Sequence, residues 1–323
     1  FDSINYEVIK KDGKFIFNTK ANITNSKLLI DFLEYKKEEK AEASIVITGN
    51  FKKNNPVNFD LISLIEKNNT IVIKNLSLSK NFKLKSFDSF NLNYLNNNKI
   101  KNQLVLKKNN SNYSITGENF DATKIINKIM YSDDENLSLF DDFNSKIIIK
   151  INKIYIDDVN FINSLTGAIS FKNNKIDDLN MKSIFPNNKT ISLSIKTNEK
   201  QEEITKLSTN HPKFLIKRYN FIKGFEGGFL VYQSVKKDGI SNALLTIENF
   251  KVKEVPAFAK LLSLASLQGI SDLLTGEGIR FTDFEMKFSN KKGLTTISEM
   301  YAIGPAVSIL MDGYIESKKQ ISL

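Results

Sequence analysis

The chain lacks cysteine and tryptophan, and it has a single histidine, His211, in 323 residues. The lack of cysteine excludes disulfides, thiolate catalysis and cysteine metal sites. His211 lies beside Pro212 at the start of a predicted helix, which is typical of a capping or surface residue rather than a catalytic base. No G-x-S-x-G, G-x-G-x-x-G, P-loop or H-E-x-x-H motif occurs. The sequence therefore predicts no catalytic site, no metal site and no cofactor.

Arginine is also scarce, since only Arg218 and Arg280 occur among 46 basic residues. Nucleic-acid-binding surfaces use arginine for bidentate contacts and gather their basic residues on one face. Here the lysines are scattered along the whole chain together with 39 asparagines, which favours a biased codon usage over a basic binding patch. The scattered lysines therefore predict no nucleic-acid partner. The net charge of +10 predicts at most a weak attraction to anionic membrane surfaces.

Long apolar runs are missing as well. No stretch of 18 consecutive apolar residues is present, so the sequence predicts no membrane-spanning helix. The chain begins with Phe1 and ends in "GYIESKKQISL", a pattern typical of an unfinished strand. These two features predict that the chain is a segment of a longer protein.

What is present is period-two alternation of apolar and polar residues. "SKIIIKINK" places Ile147, Ile149 and Ile151 on one face, and many similar runs are separated by turns rich in Asn, Lys, Asp and Gly. Short strands at roughly ten-residue spacing predict a large antiparallel sheet. Helical patterns occur near 26–38, 121–131, 213–222 and 256–274. Because these helices are too short to cover such a sheet, the sheet is expected to close as a sandwich or barrel or to curl into an apolar trough.

The last third of the chain carries an ordered set of motifs. A helix ends in a strand that starts at Gly227-Gly228, and Val255-Pro256 opens the apolar run "LSLASLQGISDLLTGEGI" (262–279). A Phe-rich strand and "AIGPAVSILMDGYI" (302–315) follow. Over about 100 residues this order resembles the C-terminal region of the AsmA-like family, bacterial envelope proteins related to AsmA, TamB and YhdP. Residues 115–250 fit the family's looser pattern, and residues 1–114 add compatible strands.

The resemblance implies a mainly β fold, an elongated and curled antiparallel sheet with a few short helices at its edges. Its concave apolar face would form a groove that carries phospholipid acyl chains between the inner and outer membranes of a Gram-negative bacterium, without enzymatic activity. The implied location is the periplasm, with an inner-membrane anchor preceding this segment and outer-membrane contact beyond its C-terminal end. The implied division is an N-terminal groove segment at 1–140 and the AsmA-like region at 141–323.

The resemblance also assigns residues to this groove. The expected lining residues are the alternating apolar positions Ile147, Ile149, Ile151, Ile191, Leu193, Ile195, Phe229, Val231, Phe284, Met286, Phe288, Val307, Ile309 and Met311. The apolar helix would place Phe258, Leu261, Leu262 and Ala265 against one edge of the groove, either as a gating plug or as an ordinary core helix. Arg280 would meet a phosphate headgroup or pair with Glu277 or Asp283.

A second reading of the same strands stays open. The alternating residues also suit a closed β-sandwich with a dry core, which would make the chain a structural or assembly scaffold of the envelope. The strand pattern alone favours this scaffold, whereas the family resemblance favours the groove. An enzyme acting on envelope polysaccharide is disfavoured, since the sequence supplies no catalytic constellation.

Overall fold

The computed structural model describes residues 2–53, 55–126, 143–157, 159–216, 223–254, 270–271, 275, 278–291, 293–316 and 321–322. Within these residues the chain is mainly β. It divides into two compact units, Phe1–Asp177 and Asp178–Leu323. The predicted division between 140 and 141 lies outside the described residues and stays a prediction.

The first unit has thirteen strands, eleven in one sheet and two in a separate hairpin. Its strands are β1 (Ser3–Lys11), β2 (Lys14–Asn22), β3 (Leu28–Ile30), β4 (Tyr35–Lys37), β5 (Ala43–Phe51), β6 (Val57–Glu66), β7 (Asn69–Leu78), β8 (Leu84–Ser86), β9 (Ser89–Leu95), β10 (Lys101–Asn109), β11 (Asn112–Asp121), β12 (Lys146–Tyr155) and β13 (Phe161–Lys172). The pairing follows the order β1-β2-β5-β6-β7-β9-β10-β11-β12-β13, with β8 paired to the end of β7. Strands β11 and β12 are parallel, and the other pairs are antiparallel.

The second unit is an antiparallel meander. Its strands are β14 (Lys175–Ile184, within this unit from residue 178), β15 (Thr190–Thr197), β16 (Glu203–Thr209), β17 (Lys223–Lys237), β18 (Ile240–Glu254), β19 (Ile279–Lys291), β20 (Leu294–Ile303), β21 (Ser308–Glu316) and β22 (Ile321–Ser322). Each strand pairs with the next one along the chain. Such sequential pairing needs only short polar turns, as the sequence predicted.

Several turns show why this sequence forms hairpins. Asp12-Gly13, Asn173-Asn174 and Asp238-Gly239 each form a two-residue loop, and both residues of each loop have positive φ, between 49° and 75°. Two-residue hairpin loops of this type favour Asn, Asp and Gly, because these residues adopt positive φ at low cost. The polar clusters that separate the alternating runs therefore set the ends of the strands.

The predicted fold class is confirmed. The sheet is curled, it is not closed, and few short helices accompany it. A closed β-sandwich, the alternative fold, is therefore wrong. The parallel pair β11–β12 was not predicted, because the residues between these strands gave no signal of how the chain returns to the sheet.

The predicted helix at 26–38 is wrong. These residues form the β3–β4 hairpin, with a 3₁₀ turn at Asp31–Leu33 between its two strands. Glu34 has a φ of 52°, which stops a helix from continuing, and Tyr35 and Lys37 are fully buried while Lys36 is exposed. Tertiary burial of alternate residues thus overrides the helical spacing of the leucines.

The other predicted helices are described only in part. Residues 123–126, 213–216 and 270–271 are helical, and the remaining residues of those predictions lie outside the described part of the chain. Among the described residues, no helix has the length and apolar character needed to cross a membrane.

Candidate functional site

The first unit carries two continuous rows of mostly apolar side chains on one face of its sheet. Residues directly opposite one another on paired strands project from the same face. One row consists of Ile4, Ala21, Ile45, Leu64, Ile71, Leu92, Leu104, Gly117, Ile151 and Leu165. The adjacent row consists of Tyr6, Thr19, Ile47, Ile62, Ile73, Phe90, Leu106, Ile115, Ile149 and Gly167. These aliphatic rows cross ten strands, a path on the order of 40 Å.

The second unit carries an equivalent row across β14 to β21, the methionine row. Its members are Met181, Leu193, Leu207, Tyr232, Leu245, Met286, Met300 and Met311. Two flanking rows lie on the same face. One contains Ile191, Leu230, Ile247, Phe284, Ala302 and Ile309, and the other contains Leu179, Ile195, Ala243, Phe288 and Ile297, with Ser or Thr at intervening positions.

Burial differs from row to row, and the centre of the first aliphatic row is buried at Leu64, Ile71, Leu92 and Leu104. All eight members of the methionine row are partly buried, and so are most members of the second aliphatic row, including Ile47, Ile62 and Ile73. In the centre of a closed sandwich, side chains in these positions would be covered by the opposite sheet. Partial burial in the middle of these two rows agrees with a sheet that is curled but not closed.

One end of the apolar face of the first unit is covered by the β3–β4 hairpin. The Tyr35 hydroxyl donates a hydrogen bond to Glu66 Oε2 (2.6 Å), and the Tyr94 hydroxyl donates to the Leu33 carbonyl (3.0 Å). The two tyrosine rings pack edge to face, with centroids 5.7 Å apart. Burial raises the pKa of both tyrosines, and the neighbouring Glu66 carboxyl raises that of Tyr35 further, so both phenols stay protonated donors.

Lys37 anchors the same hairpin. Its ammonium group is fully buried and donates to the carbonyls of Thr24, Ser26 and Glu38 at 2.9, 2.7 and 2.9 Å. A buried charge is tolerated only when its donors are satisfied, and here all three are. The hairpin is therefore held to the sheet and to its own base by buried polar contacts.

The opposite end of the same face is closed by aromatic packing. Phe87, Tyr113 and Phe143 are buried, and the Tyr113 ring lies 4.7 Å from Phe87 and 5.4 Å from Phe143. Ile147, Phe90 and other partly buried apolar residues pack against this cluster. The aliphatic rows thus run between two closed rims, in the direction that crosses the strands.

The second unit has one comparably packed rim. Phe225, Phe250 and Phe281 stack with successive centroids 5.1 Å apart, and Ile279 and Val307 are buried in the same cluster. Gly227 and Gly228 of β17 lie beside this stack with φ values of 74° and 86°, which glycine adopts at low cost. Tyr232 and Leu245 of the methionine row pack against the cluster.

The opposite face of the second unit is mainly polar, although Val231, Leu244 and Leu310 also lie there. Lys287 of β19 pairs with Glu299 of β20 (2.8 Å) and with Glu285 of its own strand (3.1 Å), and these hydrogen bonds raise the pKa of Lys287. Ser192 and Ser208 share a hydrogen bond on this face (2.8 Å). The two faces of this sheet thus differ in polarity.

Most of the expected lining residues lie on the apolar face. Within the first unit, the structure brings Ile147, Ile149 and Ile151 together there. Within the second unit it does the same for Ile191, Leu193, Ile195, Phe284, Met286, Phe288, Ile309 and Met311. Val307 is buried in the rim cluster rather than in a row. Whether any of these residues contacts lipid stays a prediction.

Two expected lining residues lie on the wrong face. Phe229 and Val231 are opposite Glu248 and Thr246, on the polar side, and Phe229 is 43% exposed. Their neighbours Leu230 and Tyr232 face the apolar side instead. The stretch "FLVYQSV" has apolar residues in both alternating sets, so the sequence alone does not decide which set faces the apolar side; the preceding Gly227-Gly228, with positive φ, adds to this ambiguity.

The structure describes the position of Arg280 but not the four expected residues of the plug helix. Arg280 lies between buried Ile279 and Phe281, so its side chain leaves from the polar face of β19, away from the methionine row. Phe258, Leu261, Leu262 and Ala265 lie outside the described residues, and their gating role stays a prediction. Within the described part of the chain, no cluster of three or more His, Cys, Asp or Glu side chains suits a metal ion.

Sequence reasoning missed most of the aliphatic rows and half of the methionines in the methionine row. Strands β5 to β11 alternate visibly, but nothing in a single strand reveals which residues of ten strands fall into one line. Met181 and Met300 lie in short alternating runs whose register became clear only from the pairings with Leu193 and Met311.

Comparison of the chain with protein-family models, with curated proteins and with solved structures finds no match. The resemblance to the AsmA-like family therefore stays a prediction.

Proposed function

We propose that this chain binds phospholipid acyl chains on the apolar faces of its curled sheets and transfers lipid without catalysing a reaction. The observation that carries the proposal is the continuous, partly buried apolar row found in each unit. A row of this kind offers a path rather than a single pocket, and no polar anchor interrupts it between Met286 and Met311.

The energetics suit this task. A sixteen-carbon acyl chain in water costs on the order of 12 kcal/mol, at about 0.8 kcal/mol per CH₂. Rows of Ile, Leu and Met remove most of that cost while the headgroup stays in water at the open side. Since neighbouring positions along a row are chemically alike, a chain moves along it with little change in free energy. This favours transfer over tight binding.

The proposed setting follows the family resemblance. It places the chain in the periplasm of a Gram-negative bacterium, held to the inner membrane by a further segment and passing phospholipid towards the outer membrane. The lysine-rich composition and the net charge of +10 support contact with anionic lipid headgroups.

The test is native mass spectrometry of the purified chain, followed by extraction and identification of bound lipid. We expect stoichiometric phospholipid. Ile47→Asp and Leu193→Asp each place a carboxylate in a partly buried row, so each should lower the lipid load by at least about tenfold, because an acyl chain cannot solvate a charge.

Matched controls come from the adjacent residues. Thr48→Asp and Ser194→Asp add the same charge one residue away, on the polar face, and should leave the lipid load unchanged. A lipid-free chain that takes up nothing from phospholipid vesicles would refute the proposal and favour the structural scaffold.

A further inference from the structure

The methionines of this chain are concentrated in one place. The chain has five methionines, and Met181, Met286, Met300 and Met311 lie in the methionine row of the second unit. Met286, Met300 and Met311 are direct neighbours on the three consecutive strands β19, β20 and β21. All four side chains are partly buried on the apolar face, so they are available to a ligand lying there.

The aliphatic rows of the first unit have a different composition. Isoleucine fills nine of their twenty positions, and no methionine occurs in them. The two units therefore present apolar faces of similar polarity but of different stiffness.

Stiffness decides which acyl chains fit. Isoleucine is branched at Cβ and is largely confined to one χ1 rotamer, so a surface of isoleucines keeps its shape. Methionine is unbranched, has three rotatable bonds and a polarisable sulfur, and refills irregular gaps at low cost. A saturated acyl chain is straight when extended, whereas a cis double bond introduces a bend that a rigid surface contacts poorly.

We propose that the methionine row is the part of the apolar face that accepts bent acyl chains, so that the protein carries unsaturated and saturated phospholipids alike. This inference rests on the proposed function, since it concerns which lipids that face takes. The isoleucine-rich rows of the first unit favour straight chains, and the methionine row offsets this preference.

The experiment uses the full chain and a lipid pair that differs only in the bend. The chain is incubated with vesicles of equimolar dimyristoyl and dimyristoleoyl phosphatidylglycerol above the melting transition of both lipids, and the bound lipids are quantified by mass spectrometry. The wild-type chain should bind the two lipids in nearly the vesicle ratio. A variant with Met181, Met286, Met300 and Met311 all changed to Ile should bind about threefold less unsaturated lipid relative to saturated lipid, and this ratio, not the total load, is the readout.

The reciprocal variant is the matched control. Changing Ile45, Ile47, Ile62 and Ile73 to Met keeps the apolar character of the first unit and should raise the unsaturated fraction. Met286→Ile alone is the milder form of the first variant if the fourfold change disturbs folding, and it should shift the ratio in the same direction.

Methionine oxidation gives a second readout on the wild-type chain. Sulfoxide formation by dilute hydrogen peroxide requires access to sulfur, so bound lipid should slow oxidation of Met181, Met286, Met300 and Met311 several-fold compared with the delipidated chain. Full lipid loads with unchanged ratios in all variants, and equal oxidation rates with and without lipid, would overturn this inference alone. A wild-type chain that binds neither lipid would overturn the proposed function and this inference with it.

Discussion

Gly49 shows at the scale of one residue how closely the strands of the first unit approach. A Cβ atom at this position would lie 2.2 Å from the Asn58 carbonyl oxygen and 2.6 Å from Cζ of the Phe17 ring. The pairing of β5 with β6 shifts register at this point, so backbone and ring converge on the missing side chain. Glycine is required here by space rather than by backbone angle.

Replacement of Gly49 by Ala should therefore destabilise the first unit by about 2–3 kcal/mol, because the overlap involves backbone that cannot move aside without breaking the pairing. Hydrogen exchange across Ala43–Phe51 and thermal melting would measure the effect. Gly13→Ala is the control, since its φ of 71° costs only about 1 kcal/mol and its Cβ would meet nothing within 4 Å. Equal losses for both variants would contradict the steric explanation.

His211 is a titrating residue in a partly apolar setting. Its ring lies 4.8 Å from the Phe185 ring and 6.5 Å from Phe214. Burial, followed by the charges of Lys189 and Lys213, lowers the pKa of His211 below its ordinary value of 6.5. The folded chain thus favours the neutral imidazole.

The sign of the pH dependence follows from this shift. Because the unfolded chain binds a proton at His211 more readily, its contribution to stability is complete above pH 6.5 and is lost as the pH falls from 6.5 toward the lowered folded value. The melting temperature of the wild-type chain should fall as the pH is lowered below 6.5, and that of His211→Gln should change much less.

Carboxylates affect the stability of the folded chain in a separate, more acidic pH range. The pKa of Glu226 is lowered from 4.5 by its hydrogen bond with Lys253, so its contribution is lost only at more acidic pH. Because His211 is the only histidine of the chain, a change in stability in the higher pH range can be assigned to it directly. Identical pH profiles for wild type and variant from pH 5 to 7 would argue against it.

At the scale of one element, the β3–β4 hairpin shows what the strand alternation alone does not reveal. A short insertion between β2 and β5 turns back over the end of the apolar face and places Leu33, Tyr35 and Lys37 in buried positions. Its backbone is fixed by the three hydrogen bonds of the Lys37 ammonium group.

Lys37→Met should release this hairpin, because it leaves three carbonyls without their donor while keeping a side chain of similar length. Hydrogen bonds to charged groups contribute about 1.5–3 kcal/mol each, so local opening should become easier by at least about 2 kcal/mol. Hydrogen exchange of residues 24–38 is the measurement. Lys36→Met, on the exposed side of the same strand, should leave the exchange rates unchanged, and equal effects of both variants would contradict the anchoring role.

At the scale of the whole molecule, two units repeat one arrangement with different residues. Each has an apolar face crossed by rows of side chains and at least one rim closed by buried aromatic residues. In each unit, at least one of these rows stays partly buried in the middle of the apolar face.

The sequence by itself determined the mainly β class, the turns and the alternation within each strand. These properties are local, because period-two alternation and the turn preferences of Asn and Gly each extend over about ten residues or fewer. The small number of helical residues, too few to cover a sheet, is likewise visible in such short stretches. It also placed Ile147, Leu193 and Met286 correctly on the apolar face, since their strands have one clearly apolar side.

Only the tertiary structure decided how these strands combine. The phase of Phe229 and Val231, the hairpin at 26–38 and the parallel pair β11–β12 all depend on contacts between residues distant in sequence. The methionine row exists only through the register of eight strands, because a shift of one residue in any strand would turn its member to the other face. Register is fixed by packing across strands, and that information is not contained in any single stretch of the chain.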